Sequence, residues 1–480
     1  MELQNKNLGS TISVVGNREN LLLTTVFLYN GIKKRISITN PTTNQKGKSP
    51  MDNNTKVLLG IKDKNIKIIN NTVSSPEGSS TLILSGILDY RPKYCPKCGI
   101  IDSTQIIRFG WRQTTVRLPR NFERDVSLKL KRRYFKCKSC NKYFLAETDL
   151  VPKNCSISYN TRLACIEKLS DTVSMKHIAK EVSTSDSFVG RTLMTSQRDF
   201  RPDLNHLPQV ILMDEIKSTK SAKGAMSFEF MDADTHRLID VLDARTQYHI
   251  EQYFKRYTSK ALQSVKVIVT DMNYTYPKLV QSIFSNAIVV TDRFHIINNV
   301  VRGFNKTRIQ VMKKLNISSI QYKALKKYWK LLLKPATKLD FKNFHSWPYN
   351  KKMLCETDFI DWLLSFDPQL ENGYAVLQRI MASVKSSDWQ EFQYAINSNQ
   401  NLSETMETPL STLRINQDYV FNAFKHKEYS NGPLEGTNNK IKLIKRTGYG
   451  FRSFFRFRLR ILITFKFRYQ KKPSHKVAKL

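Results

Sequence analysis

The chain has 480 residues, of which 78 are Lys or Arg and 40 are Asp or Glu, giving a formal net charge of +38. A hydrophobic content of 40% with 11% aromatics excludes wholesale disorder, and at roughly 150 residues per domain the length suggests about three domains. The apolar run Leu21 to Tyr29 falls short of the ~20 residues that cross a bilayer, and the first residues fit a secretory signal poorly, so a cytoplasmic protein is expected. Such an excess of positive charge calls for a polyanionic partner. Because the basic residues accompany folded, aromatic-rich segments instead of one amphipathic helix, nucleic acid is favoured over a membrane surface.

Residues 1–50 show no sustained period and end in a polar linker, Asn40 to Pro50. They read as a disordered arm, or as sequence upstream of a natural start at Met51. Residues 51–150 are expected to form a hairpin and a zinc ribbon. The hairpin would pair Val57–Ile61 with Asn65–Ile69 across a Lys-Asp-Lys turn. The ribbon rests on two Cys-x-x-Cys pairs, Cys95/Cys98 and Cys137/Cys140. Two thiolates three residues apart on a tight turn can reach one ion at ~2.3 Å, so two such turns complete a tetrahedral sulfur shell for a structural Zn²⁺. Free thiols or a redox pair are the weaker alternative. The 38 residues between the pairs, longer than the spacing of compact zinc sites, can be spanned by strands over Ile106–Val116 and Val126–Phe135. Cys155, Cys165 and Cys355 stand alone and read as core residues.

Residues 151–204 carry helical periodicity over Thr161–Leu169, Met175–Val182 and Ser187–Met194. The last two have the layout of a helix-turn-helix, with Ile178 and Val189 packed between them and small Ala179 at the crossing. Asp186 is placed to cap the second helix, which would present Ser185, Ser187 and Arg191 to the major groove. A plain helical hairpin is the alternative.

Over 205–309 the pattern turns mixed α/β. Apolar strands are expected at Val210–Met213, Ala225–Met231, Arg237–Leu242, Val265–Thr270 and Ala287–Thr291, with helices at Tyr248–Tyr257 and Tyr276–Phe284. This order resembles the ribonuclease H-like plan, in which the first and fourth strands are neighbours. Asp214 and Asp271, at the ends of those strands, would then converge. Paired carboxylates suit Mg²⁺ (or Mn²⁺), and two such ions can serve in-line displacement at phosphorus. Glu435, in NGPLEGTNNKIKLIKR, is the expected third ligand on a helix whose Lys442, Lys445 and Arg446 would hold phosphates. Residues 310–425 read as an all-helical insertion into this α/β core, with Trp329, Trp347, Trp362 and Trp389 as core residues. Residues 426–480 complete the core and add a basic tail, where phenylalanines would pack and Arg452 and Arg456 bind phosphate.

The strings LMDEIKSTK, VIVTDMNYTYPKLV, VVTDRFHIINNVVRGFNKTR and NGPLEGTNNKIKLIKRTGYGFRSFFRFRLRI resemble the DDE-type transposases of bacterial insertion sequences, in particular the ISL-three family. The resemblance extends from about Asn54 to Phe465 and includes the cysteine pairs and the paired helices in order. A departure at Ser285, where proline is expected, falls in a turn, and residues 1–50 have no counterpart. The resemblance implies cut-and-paste DNA transposition with Asp214, Asp271 and Glu435 as catalytic metal ligands. Asp292 and His295 match an Asp-x-x-His motif, for which a helix cap beside a packed histidine is the plain alternative. It also implies double-stranded DNA as partner, both terminal inverted repeats and target, with at least a homodimer to hold two ends together, near the bacterial nucleoid. Two other functions fit the same modules: a transposase-derived regulator that binds DNA without cutting, and a structure-specific nuclease.

Overall fold

The computed structural model describes residues 53–74, 81–272, 276–398 and 401–466. The expected arm over 1–50, the start at Met51 and the tail beyond 466 lie outside these residues. The chain is mixed α and β. It opens with a short helix, α1 (Asn53–Leu58), not with the first arm of the expected hairpin. Gly60, at φ +64°, closes that helix with Gly60 N–H donating to Val57 and Ile61 N–H to Lys56, so Val57 and Leu58 are left exposed. The turn lies at Asp63–Ile66, where Ile66 N–H donates to the Asp63 carbonyl, and not over Lys62–Lys64, and the strand after it, β1 (Ile66–Ser74), pairs antiparallel with β2 (Thr81–Leu88).

Two long strands follow, β3 (Ile106–Asn121) and β4 (Arg124–Cys137), paired antiparallel, with β5 (Tyr143–Leu145) on β4. The sheet order is β1-β2-β4-β3, and β2 runs parallel to β4. The expectation of long strands between the cysteine pairs therefore matches the structure. Three helices come next: α2 (Tyr159–Lys168), α3 (Met175–Glu181) and α4 (Asp186–Thr195). Each begins at a serine, Ser158, Ser174 or Ser185, whose hydroxyl accepts an N–H of the first turn. Ser185 thus caps α4, and Asp186 is its first residue, contrary to the expectation that Asp186 would be the cap. Ile178, Ala179, Phe188, Val189 and Leu193 are buried together between the helices.

The second sheet carries β6 (Val210–Lys217), β7 (Met226–Asp232), β8 (Leu238–Leu242), β9 (Val267–Thr270) and β10 (Ile288–Thr291) in the order β10-β9-β6-β7-β8. β6, β9 and β10 are parallel, whereas β6–β7 and β7–β8 are antiparallel. One face is covered by α5 (Gln247–Phe254), α6 (Ser259–Gln263) and α7 (Tyr276–Ile283), whose side chains pack on Ile211, Met213, Phe228, Phe230 and Ile268. The alternate residues Leu212, Met231 and Val269 pack on the helices that follow.

The first of those, α8 (Arg293–Lys314), starts directly after β10 and runs into the insertion. Beyond it lie α9 (Ile320–Lys327), α10 (Trp329–Leu332), α11 (Glu356–Leu364), α12 (Pro368–Ser386), α13 (Trp389–Ile396), α14 (Glu404–Ile415) and α15 (Gln417–Lys425). The insertion is not all-helical. It includes the hairpin β11 (His345–Trp347) and β12 (Asn350–Leu354), where the Trp347 indole donates to Leu354 and its ring stacks on Phe359 at 3.9 Å between centroids. Trp347, Trp362 and Trp389 pack against the insertion's core, as expected of them.

Helix α16 (Gly432–Thr447) returns to the second sheet, and α17 (Phe454–Lys466) joins the three-helix module to it. Phe457, Leu459, Ile461 and Leu462 share one apolar cluster with Val189 and Leu193 of α4 and with Leu238 and Val241 of β8. Two arginines of the basic tail are structural. Arg460 is buried and donates to the Asp171 and Val173 carbonyls at 2.6 and 2.8 Å. Arg458 binds buried Asp240 bidentately, both bonds at 2.6 Å, and Tyr253 donates to the same carboxylate. Arg458→Ala strips a buried carboxylate of its only ion pair among the described residues. It is expected to destabilise the protein by about 3–5 kcal/mol in chemical denaturation. A midpoint equal to wild type would show that Asp240 does not depend on it.

Candidate active site and metal centre

The four cysteines meet. Cys95 and Cys98 lie on a turn in which Gly99 N–H donates to Cys95 and Cys95 N–H donates to Ile100, and Gly99 supplies the left-handed residue at φ +80°. Cys137 ends β4, and in the turn to β5 its N–H donates to Lys142 with Asn141 at φ +56°. The same local chemistry thus shapes both turns. Cys95 Sγ lies 3.8 Å from Cys140 Sγ, and Cys98 Sγ lies 3.8 Å from Cys137 Sγ. A tetrahedron with metal–sulfur bonds of ~2.3 Å has edges of about 3.8 Å, so the set fits zinc in size as well as in ligand type. Among the described residues, this is the sole group of three or more His, Cys, Asp or Glu side chains whose ligand atoms all lie within 4.8 Å of one another. Purified protein is expected to contain one zinc per chain. Cys98→Ser with Cys140→Ser should abolish it together with the protease resistance of residues 81–145. Intact resistance without zinc would refute a structural role.

The carboxylates gather on the second sheet. β6 and β9 pair in parallel as far as Leu212 and Val269, and two residues further along the chain stand Asp214, still within β6, and Asp271, just past the end of β9. β9 and β10 pair as far as Thr270 and Thr291, and the next residue of each is Asp271 and Asp292. Three parallel strands thus deliver three aspartates at one end of the sheet. Asp214 is not the last residue of its strand, because β6 continues to Lys217 against β7. Burial lifts the Asp214 carboxyl from 3.8 to about 6. The Glu215 backbone N–H opposes the rise, the charge of Asp271 adds to it and His295 opposes it. Neighbouring Glu215 points to the other face, where Arg245 and the Tyr276 hydroxyl bind it.

Helix α16 closes over this site. Asn431, just ahead of it, donates from Nδ2 to the Met213 carbonyl at 3.2 Å, and Asn438 donates from Nδ2 to Asp214 Oδ2 at 2.8 Å. Glu435, one turn before Asn438, is exposed in the first turn of the helix, where the helix dipole favours a negative charge. Its carboxylate does not form a three-ligand group with the two aspartates. Asp292 stands at the N-cap position of α8 without making a capping bond. It is buried and 3.9 Å from His295 Nε2. Burial raises its pKa, with His295 and the Asn431 N–H acting in the opposite direction.

Of the expected DNA-binding residues, Ser187 and Arg191 are exposed on one side of α4, Lys442 and Arg446 on α16, Arg452 just ahead of α17 and Arg456 in its first turn. Ser185 spends its hydroxyl on the cap, and Lys445 donates to the Ser218 and Lys217 carbonyls at 2.6 and 3.2 Å, so neither is free for phosphate in this conformation. Sequence reasoning missed Asn431, Asn438 and Glu229. The last is a buried acid directly opposite Asp214 across the β6–β7 pair. Its signal was one charge amid the apolar run of β7, MSFEFMD.

An acid whose folded-state pKa lies above its unfolded value binds its proton more tightly when folded. In metal-free buffer, the contribution of Asp214 to stability is therefore expected to fall as pH rises from 3.8 to about 6. Asp214→Asn should flatten that part of a urea-midpoint profile. An unchanged profile would argue against the buried pair.

Residues 211–461, just over half of the chain, match the family model of the ISL-three DDE transposases, described as transposase, and the chain belongs to that family. The chain is also similar to a protein of Lactococcus lactis subsp. lactis named ATP-dependent protease, 44% identical over 110 residues. That match covers 23% of this chain and 35% of the relative, so the chain spans about a third of the curated relative it matches. Among the described residues, no helix is long and apolar enough to cross a membrane.

Proposed function

We propose that the protein binds the terminal inverted repeats of an insertion sequence and catalyses divalent-metal-dependent cleavage and strand transfer on a ribonuclease H-like core. The observation that carries this reading is the delivery of Asp214 and Asp271 side by side by β6 and β9, beneath the helix that bears Glu435. The oxygens of the aspartates fit Mg²⁺ or Mn²⁺, since the charge of Asp271 raises the proton affinity of Asp214 and a hard cation would relieve that repulsion. A cation bound there would activate an attacking oxygen and offset charge on the leaving one. Asn438 holds the orientation of Asp214, and Glu435 on the same helix face completes the ligand set when its exposed side chain turns inward.

The remaining residues position DNA. In this reading the four cysteines and sheet β1–β5 form a zinc ribbon over residues 51–150, and α3 and α4 form the helix-turn-helix within 151–204. The core of 205–309 and 426–480 is interrupted by the insertion 310–425. Ser187 and Arg191 face base edges, while Lys442, Arg446, Arg452 and Arg456 meet phosphates. Water attacks the phosphodiester at the transposon end and releases a 3′-hydroxyl, which then attacks target DNA with loss of one strand's own 3′-oxygen. Both steps exchange one P–O bond for another, so no covalent enzyme intermediate is needed. Two ends must be held, which calls for at least a dimer. The name of the Lactococcus relative rests on a match to 23% of the chain and carries no activity over to this one.

The test is cleavage of a labelled end fragment in Mg²⁺ by wild type and by Asp214→Ala, Asp271→Ala and Glu435→Ala. Each variant is expected to lose more than the roughly 10–100-fold typical of removing an outer partner of a metal ligand. Equal cutting by all four proteins would remove these acids from the chemistry. DNA binding without cutting by wild type would favour the regulator.

A further inference from the structure

Glu229 is fully buried, at 0% exposure, and among the described residues neither of its carboxylate oxygens has a hydrogen-bond partner. It pairs with Asp214 across the antiparallel strands, so both side chains leave the sheet on the same face with Cβ atoms about 4.5–5.5 Å apart. A buried carboxylate without donors is costly, and an apolar residue of similar size would remove the cost. Its neighbours two positions along, Ser227 and Met231, are uncharged, so the acid is a local exception.

The helix above supplies a matching feature. Asn438 is buried and turns its Nδ2 to Asp214, which leaves its Oδ1 buried and, among the described residues, without a donor. Asn431, ahead of the same helix, likewise leaves Oδ1 unpartnered among those residues. The unpartnered side-chain atoms of Glu229, Asn438 and Asn431 are therefore all acceptors. Burial and then the charge of Asp214 raise the Glu229 pKa, and the charge of Lys442 opposes them from α16, but the lysine is exposed, and among the described residues no ion pair joins the two. Oxygen acceptors without donors, two of them on a carboxylate beside a second carboxylate, make a setting suited to a hard divalent cation.

We propose that Glu229 is a further ligand of a divalent cation held at Asp214, with Asn438 Oδ1 as a third oxygen, on the side of Asp214 enclosed between β7 and α16. The inference rests on reading Asp214 as a cation-binding residue. It adds an inner position, beneath the helix, to the pair Asp214 and Asp271.

The probe is Mn²⁺ alone, titrated into the full chain without DNA and followed by calorimetry and by the electron paramagnetic resonance of free Mn²⁺. Glu229→Gln, which keeps the shape and removes the charge, is expected to weaken Mn²⁺ at least tenfold, and Asn438→Ala to weaken it as well. In metal-free buffer Glu229→Gln should melt at or above the wild-type temperature, and saturating Mn²⁺ should raise the melting temperature of wild type more than that of the variant. Wild-type affinity in a folded Glu229→Gln, with binding lost in Asp214→Asn, overturns the role of Glu229 and leaves Asp214 standing. Wild-type affinity in both variants overturns the reading of Asp214 itself. Failure of wild type to take up Mn²⁺ also overturns the inference, because all the proposed ligands belong to the free chain. Should Glu229→Gln fail to fold, unaltered Mn²⁺ affinity in Asn438→Ala counts against the site.

Discussion

Parallel pairing of β6 with β9 brings Asp214 next to Asp271, and two carboxylates held that close in a half-buried place repel each other. Most of the structure around them acts to hold that unfavourable arrangement. The apolar strands Val210–Met213 and Val267–Thr270 are buried and cannot slip by one residue without turning Leu212 and Val269 away from their core. Helix α16 is fastened over the site by Asn431 on the Met213 carbonyl and Asn438 on Asp214. The cost of collecting acids is met by cores on both faces of the sheet; on the proposed reading, the gain is a place for a divalent ion.

Much of this was legible in the residues because it follows from periodicity and spacing. Short continuous apolar runs marked the five strands of the second sheet, and their order was enough to expect Asp214 beside Asp271. The two Cys-x-x-Cys turns announced a four-sulfur set despite their separation along the chain. What escaped depends on side chains that meet only after folding. Val57 and Leu58 look like strand residues, yet Gly60 ends a helical turn there and leaves them exposed. Ser185 and Asp186 are both good caps, and only the backbone bond decides for serine. Arg458 and Arg452 are alike in the string FRSFFRFR, but one meets buried Asp240 and the other faces solvent. Asn438 could not be told from Asn439 without the phase of the helix relative to the sheet.

Glu435 marks the point where a free chain and a working one differ. The two aspartates are set by the sheet, whereas the glutamate belongs to a helix whose near face is anchored and whose first turn is open to solvent. On the proposed reading, a pair set by the sheet with an exposed third acid would let DNA and cation enter before the ligand set is complete, coupling completion of the site to the arrival of substrate.

The burial of Arg460 has a mechanical meaning. Its guanidinium, on the last described helix, grips the loop between α2 and α3 through two carbonyls, and the surrounding apolar side chains come from α4, α17 and β8 together. The three-helix module is therefore welded to the α/β core and does not swing on a tether. On the proposed reading, the protein works as a caliper: the span of duplex between the bases it reads and the bond it breaks is fixed by protein dimensions, and an end sequence lengthened or shortened between those two points would be gripped correctly yet cut at the wrong nucleotide.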